Sequence, residues 1–183
     1  MSSSFDIYEQ GLVKSGDGNL RIAWHWVSSP TDLEDEARVV QAALDKRAAG
    51  RGFYRRSDLV PTDLLKQLPM IVLMDVVRDG DRQPFDLLIR LIGTDAEAYY
   101  GKVTGWLVSK VPMREASDRV MAAAGKVIEN GRCGVSTAYG LTQGKEYLTV
   151  AASYFPFMDE TGTEVRGLLI HINVTRGRPA EGV

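Results

Sequence analysis

Few residues of this 183-residue chain have side chains suited to nucleophilic or metal chemistry: its only histidines are His25 and His171, and its only cysteine is Cys133. Zinc sites draw nitrogen and sulfur ligands from short recurring spacings, and three such residues at unrelated positions make no pattern, so no metal site is expected. A nucleophile, base and acid can be written down as Ser136 or Ser153, His171 and Asp75. None of the serines stands in the Gly-x-Ser-x-Gly turn that lifts a nucleophile clear of a sheet. The Gly-x-x-x-x-Gly-Lys-Ser/Thr loop that cradles phosphates is also missing. The sequence therefore predicts no catalytic residue and no enzymatic activity.

The remaining polar candidates have structural readings. Cys133, in Gly-Arg-Cys-Gly, opens a strand as a small residue, and a lone cysteine permits no intrachain disulfide. In Leu168-Leu169-Ile170-His171-Ile172-Asn173, the more apolar parity is Leu168, Ile170 and Ile172. His171 then faces the other way, as a satisfied polar residue beneath an N-terminal extension. The formal net charge of −2 argues against bulk nucleic-acid binding. The basic stretch Lys46, Arg47, Arg51, Arg55 and Arg56 reads as a helix end and a solvated loop rather than a phosphate site. MSSSFDIYEQ has no basic region followed by an apolar run, and no stretch approaches the ~20 apolar residues of a bilayer span. A cytoplasmic location without membrane contact is the expectation.

The elements that would position these residues are legible from pattern. Residues 5–27 read as a hairpin around Ser15-Gly16-Asp17-Gly18-Asn19, with Trp24 and Trp26 on one face and His25 on the other. Residues 31–49 read as a helix, opened by a Thr31-x-x-Glu34 capping box, ended by Gly50, and striped with Leu33, Ala37, Val40 and Leu44. A short helix follows at 60–65. Strands are predicted at 70–77, 85–93, 133–141, 146–158 and 164–174, with turns at Asp79-Gly80-Asp81, Thr142-Gln143-Gly144-Lys145 and Asp159-Glu160-Thr161-Gly162-Thr163. Broken helix occupies 94–131: one piece from Thr94 to Tyr100, one near Trp106–Val111, and a longer one from Glu115 to Asn130. Three of the strands are apolar at both parities, so both faces of the sheet need cover. The middle helices supply one cover. The N-terminal hairpin and helix, or a second subunit, must supply the other.

Two strands, helices, then three strands is the order of a PAS domain, and the local sequence resembles an alphaproteobacterial group of PAS-like proteins over residues 38–175. The matching elements are Arg56, Asp58, Pro61, Leu68-Pro69, Arg90-Leu91-Ile92-Gly93-Thr94 and Gly101-Lys102-Val103-Thr104-Gly105. The resemblance implies an α+β fold, with a five-stranded antiparallel sheet carrying short helices on one face. It divides the chain into an N-terminal extension (1–50), a PAS-like domain (51–175) and a disordered tail (176–183). Light-sensing flavin PAS domains carry an Asn-Cys-Arg-Phe-type cysteine, which Cys133 does not match, and haem-binding ones commonly use a histidine on the middle helix, where this chain has none. No cofactor is expected, and the protein should purify colourless.

The function implied is that of a regulatory or sensory protein. No output domain is read in these residues, so it would act through a small hydrophobic ligand, a signalling partner protein, or both. Tyr99, Tyr100, Trp106 and Met121 are the candidate pocket wall, and a filled core suits the same residues equally. Arg90 needs an acidic partner or a ligand, with pairing preferred. The stripe Leu33, Ala37, Val40 and Leu44 is the candidate face of a homodimer, the rival being that the helix folds back on its own sheet. An enzyme on an α+β sandwich and a purely structural dimerisation module are the alternatives.

Overall fold

β-branched and aromatic runs between turn residues become strands because their side chains pack well on a pleated surface. The computed structural model describes residues 12–15, 18–78, 84–139 and 148–176. Its strands are β1 (Leu12–Ser15), β2 (Gly18–Trp26), β3 (Ile71–Arg78), β4 (Pro84–Ile92), β5 (Gly134–Tyr139), β6 (Leu148–Met158) and β7 (Val165–Arg176). Its α-helices are α1 (Asp35–Ala48), α2 (Thr94–Tyr100) and α3 (Arg114–Asn130). The arm before Leu12, the turns about residues 16–17, 79–83 and 140–147, and the tail after Arg176 lie outside the described residues.

All seven strands join one sheet in the order β1-β2-β5-β6-β7-β3-β4, every pair antiparallel. From β3 onward the chain makes a hairpin, crosses over through α2 and α3, and returns as a three-strand meander whose last strand docks on β3. That is the expected PAS-like α+β fold. The N-terminal hairpin adds to this sheet: β2 pairs with β5, setting Trp24 opposite Ser136 and His25 opposite Val135.

Both faces of the sheet are buried. The inner face packs Val72, Met74, Leu87, Ile89, Ala152, Tyr154, Leu168 and Ile170 against Ala96 of α2 and Ala123, Ala124 and Val127 of α3. The outer face packs Ile71, Leu73, Val135, Phe155, Phe157 and Leu169 against Leu33, Ala37, Val40 and Leu44. These last four are at most 4% exposed. Burying each large one is worth roughly 1.5–3 kcal/mol, which is what holds α1 on its own sheet.

Three details differ from the sequence reading. Helix α1 begins at Asp35, and the box upstream is not Thr31/Glu34. The Asp32 carboxylate accepts from the Ser28 and Ser29 backbone N–H groups at 2.8 Å, because a 3₁₀ turn at Pro30–Asp32 precedes the helix and Leu33 is drawn into the core in extended conformation. The helix ends one residue early, with Ala49 left-handed at φ 50°. In β4, strict alternation would put Asp86, Leu88, Arg90 and Ile92 on one face. A bulge sets Leu73 opposite Leu91 but Met74 opposite Ile89, skipping Arg90, so Ile92 turns to the inner cluster.

The bulge also brings two parts of the quoted resemblance together. The Gly93 N–H donates to the Ile71 carbonyl at 2.8 Å, and a Cβ on Gly93 would overlap the carbonyl oxygens of Leu68 and Pro69. Only glycine admits that approach of backbone to backbone.

Candidate functional site

The inner layer holds a partly open cavity of about 70 Å³. Its floor is the inward parity of the central strands: Val72 and Met74 of β3, Ile170 and Ile172 of β7, Ala152 and Tyr154 of β6, with Ile89 and Ile92 on β4. Its roof is Tyr100 at the end of α2, the irregular segment carrying Val103, Val108 and Val111, and the first turns of α3 with Ala116, Ser117 and Val120. Among the described residues no charged side chain lines it.

The roof segment is pinned to the edge of β4. Gly105, at φ 85°, donates its N–H to the Ile89 carbonyl at 2.7 Å, and the Ile89 N–H donates to the Trp106 carbonyl at 2.9 Å. Further along, the Asp86 carboxylate, 2% exposed, accepts from the Ser109 N–H at 3.2 Å and the Ser109 hydroxyl at 2.5 Å. Asp86 thus spends its charge fixing the 3₁₀ turn Val108–Lys110, which carries Val108 into the roof.

The only polar side chains on the cavity wall are hydroxyls. Tyr154 is 1% exposed, its hydroxyl accepts a long 3.5 Å hydrogen bond from Ser136 Oγ, and burial pushes its phenol up to about 12. Burial also raises the Tyr100 phenol. Both therefore remain O–H donors at neutral pH. Ser117 is 7% exposed, and its Oγ has no partner among the described residues.

Of the pocket residues named from sequence, Tyr100 is on the wall. Tyr99 and Met121 are half-buried against the inner cluster without lining the cavity. Two need correction. Trp106 is 45% exposed, because its segment folds along the β4 edge and it is that residue's backbone that faces the strand. Arg90, displaced by the bulge, is 56% exposed and pairs through Nε with Asp75 at 3.0 Å, away from the cavity. The acidic partner it required is there; the ligand role is not. The stripe Leu33, Ala37, Val40 and Leu44 is buried against its own sheet, so it offers no surface to a second copy.

Sequence reasoning missed Ser117, Tyr154 and the strand residues of the floor. The floor was available from strand parity, since Val72/Met74 and Ile170/Ile172 each alternate. Ser117 carries no signal in the helix pattern.

On the outer face, Ser153 and His171 are register partners, while Ser136 belongs to the inner face. His171 is 4% exposed, its Nδ1 has no partner among the described residues, and burial holds its imidazole below the usual range, opposed by the Glu36 carboxylate. With Asp75 engaged by Arg90 and Ser136 on the opposite face, the Ser–His–Asp drawing is not assembled from these residues. His25 has a structural role: its Nε2–H donates to the Asp32 carbonyl at 2.9 Å. Burial pushes the Cys133 thiol up to about 12, far from a reactive thiolate. Among the described residues no group of His, Cys, Asp or Glu is placed to hold a metal ion. Three residues of the basic stretch are in ion pairs, Arg47 with Asp63, Arg51 with Asp58 and Arg55 with Glu160, while Arg51 and Arg55 lie over the Phe53 ring and Arg56 over the Phe157 ring.

No family profile matches this chain, and no curated protein does. Among solved structures, one described as an RNA-binding light-oxygen-voltage receptor superposes with a TM-score of 0.47 at 12% identity, over 84% of this chain. The chain spans 38% of that receptor chain. The PAS-like character of the fold rests on this chain's own strand order and pairing. Among the described residues no helix is long and apolar enough to cross a membrane.

Proposed function

We propose that this chain is a sensory PAS-like domain without enzymatic activity, in which the inner cavity takes a small neutral ligand and the N-terminal extension relays its presence. One observation carries the reading: a partly open cavity on the inner face of the central strands, with hydroxyl groups in an otherwise apolar wall. A domain selected only for stability gains by filling such a void, because each missing contact in a core is lost outright. The relay has a physical route. The cavity-wall residue Tyr154 stacks obliquely on Trp24 of β2 at 6.0 Å, and Trp24 meets Trp26 edge-on at 5.2 Å. Events at the cavity therefore press on the strand that precedes α1.

Methyl-detected NMR with a library of small neutral compounds tests it. Saturable shifts at Met74 and Ile170, lost in an Ala152→Leu variant that occupies the void, are the expected result. A wild-type cavity that takes up no member of the library, nor xenon under pressure, sinks the reading.

A second reading, association with another copy, is favoured by Leu91 and Trp106, which stand 40% and 45% exposed along the β4 edge. Isolated exposed apolar residues are ordinary, but two beside one strand edge, here partly covered by the Gly105–Leu107 segment, form a contact surface. Light scattering on wild type and a Trp106→Glu variant decides it: a dimer converted to a folded monomer supports the contact, and a wild-type monomer removes it.

A further inference from the structure

We infer that the cavity selects an uncharged molecule of on the order of three or four heavy atoms bearing one oxygen acceptor, which Ser117 recognises through its hydroxyl; this rests on the cavity being a ligand site as proposed above. Size is the first argument. At about 70 Å³ the space is near half the ~150 Å³ that admits benzene in an engineered apolar cavity, so the part of a guest buried in it is small.

Charge is the second. None of the described lining residues is ionised at neutral pH, and the nearest charge acting on the wall, the Arg119 guanidinium near Tyr100, is shared with Glu115 at 3.8 Å, so a carboxylate or ammonium would lose its hydration without a full counter-charge.

The third is the orphaned hydroxyl. Ser117 sits in the first turns of α3, 7% exposed, and its Oγ makes no bond back to the preceding turn or to any described residue. Leaving a buried hydroxyl unpaired costs more than its hydrogen bond gains when made, so the position favours a guest that accepts from it. A carbonyl or alcohol oxygen meets that need; a saturated hydrocarbon of the same size does not. Alanine at this position would suit the helix better and fill the same volume, so the serine's distinguishing contribution is its O–H.

Acetone, 2-propanol, isobutane, acetate and xenon are the probes, read by methyl NMR on the full chain. Acetone and 2-propanol should saturate, isobutane should bind several-fold more weakly, and acetate should not bind. Ser117→Ala should weaken acetone about three- to tenfold, the range of one hydrogen bond, and leave xenon uptake unchanged. Thermal melts confirm that this variant is folded. If xenon and isobutane enter but acetone gains nothing from Ser117, the ligand class is overturned while the ligand-site reading stands. If ordered water holds Ser117 in the presence of saturating acetone, the class is likewise overturned. If no probe enters, the ligand-site reading itself fails.

Discussion

The two faces of the sheet are covered by helices of similar length, yet one layer is filled and the other is hollow. On the outer side α1 presents Leu33, Val40 and Leu44 to Phe155, Phe157 and Leu169, and all six are at most 4% exposed. Large side chains from both layers interdigitate there. On the inner side α3 presents the short side chains Ala116, Ser117 and Val120 toward Val72, Met74, Ala152, Tyr154 and Ile170, and the cavity lies between them. Toward β2 and β5 the same inner layer is filled by Trp24, Trp26 and Tyr154. Void and filling are thus set by side-chain volume at facing positions, not by which helix does the covering.

Breaking the filled side should have the largest effect. The double variant Val40→Asp, Leu44→Asp places two unpaired carboxylates at sites 0% exposed, and it is expected to abolish cooperative urea unfolding rather than yield a folded protein. A folded double variant would show that α1 leaves the sheet in solution. Leu44→Ala alone should cost about 2–5 kcal/mol in chemical denaturation.

Enlarging a residue on each side sharpens the contrast. Ala37→Leu, on the filled face, is expected to cost about 1–3 kcal/mol by overpacking. Ala152→Val, on the cavity wall, should cost nothing or stabilise by about 0.5–1 kcal/mol, since the added methyls enter existing space and Val suits a strand. Equal costs at the two positions would remove the distinction between the layers.

The polar group in the filled layer gives it a pH dependence. Burial lowers the folded-state pKa of His171 below its ordinary value of 6.5. Between those values the unfolded chain binds a proton that the folded chain does not. Stability is therefore fully present above about pH 6.5 and falls as pH drops toward the depressed value. Urea midpoints at pH 7.5 and 5.5 should show this loss, and His171→Gln should flatten it. A His171 variant with an unchanged slope would place the titration elsewhere.

The smallest effect is expected at the end of α1. Ala49 sits at φ 50°, a conformation glycine adopts without a Cβ penalty, so Ala49→Gly should raise stability by roughly 0.5–1 kcal/mol. A loss would show that the helix ends differently in solution.

What the sequence determined by itself was the set of elements and the need to cover the sheet twice. Strand limits at 70–77 and 85–93 against Ile71–Arg78 and Pro84–Ile92, and a helix stopped by Gly101, follow from local pattern and turn chemistry, which neighbouring residues decide. The both-parity apolar strands required a second cover, and the stripe on α1 was the piece that fits. Only the tertiary structure decided that the cover is the chain's own helix and that β2 joins the sheet beside β5, since a stripe is equally complementary to its own sheet and to a copy. Only it revealed the Arg90 bulge, because a skipped residue depends on how β3 and β4 are paired and not on either strand's composition. The cavity, too, was beyond the sequence: Ser117, Ala152 and Ile170 come from three elements far apart in the chain, and a void exists only in the sum of their volumes.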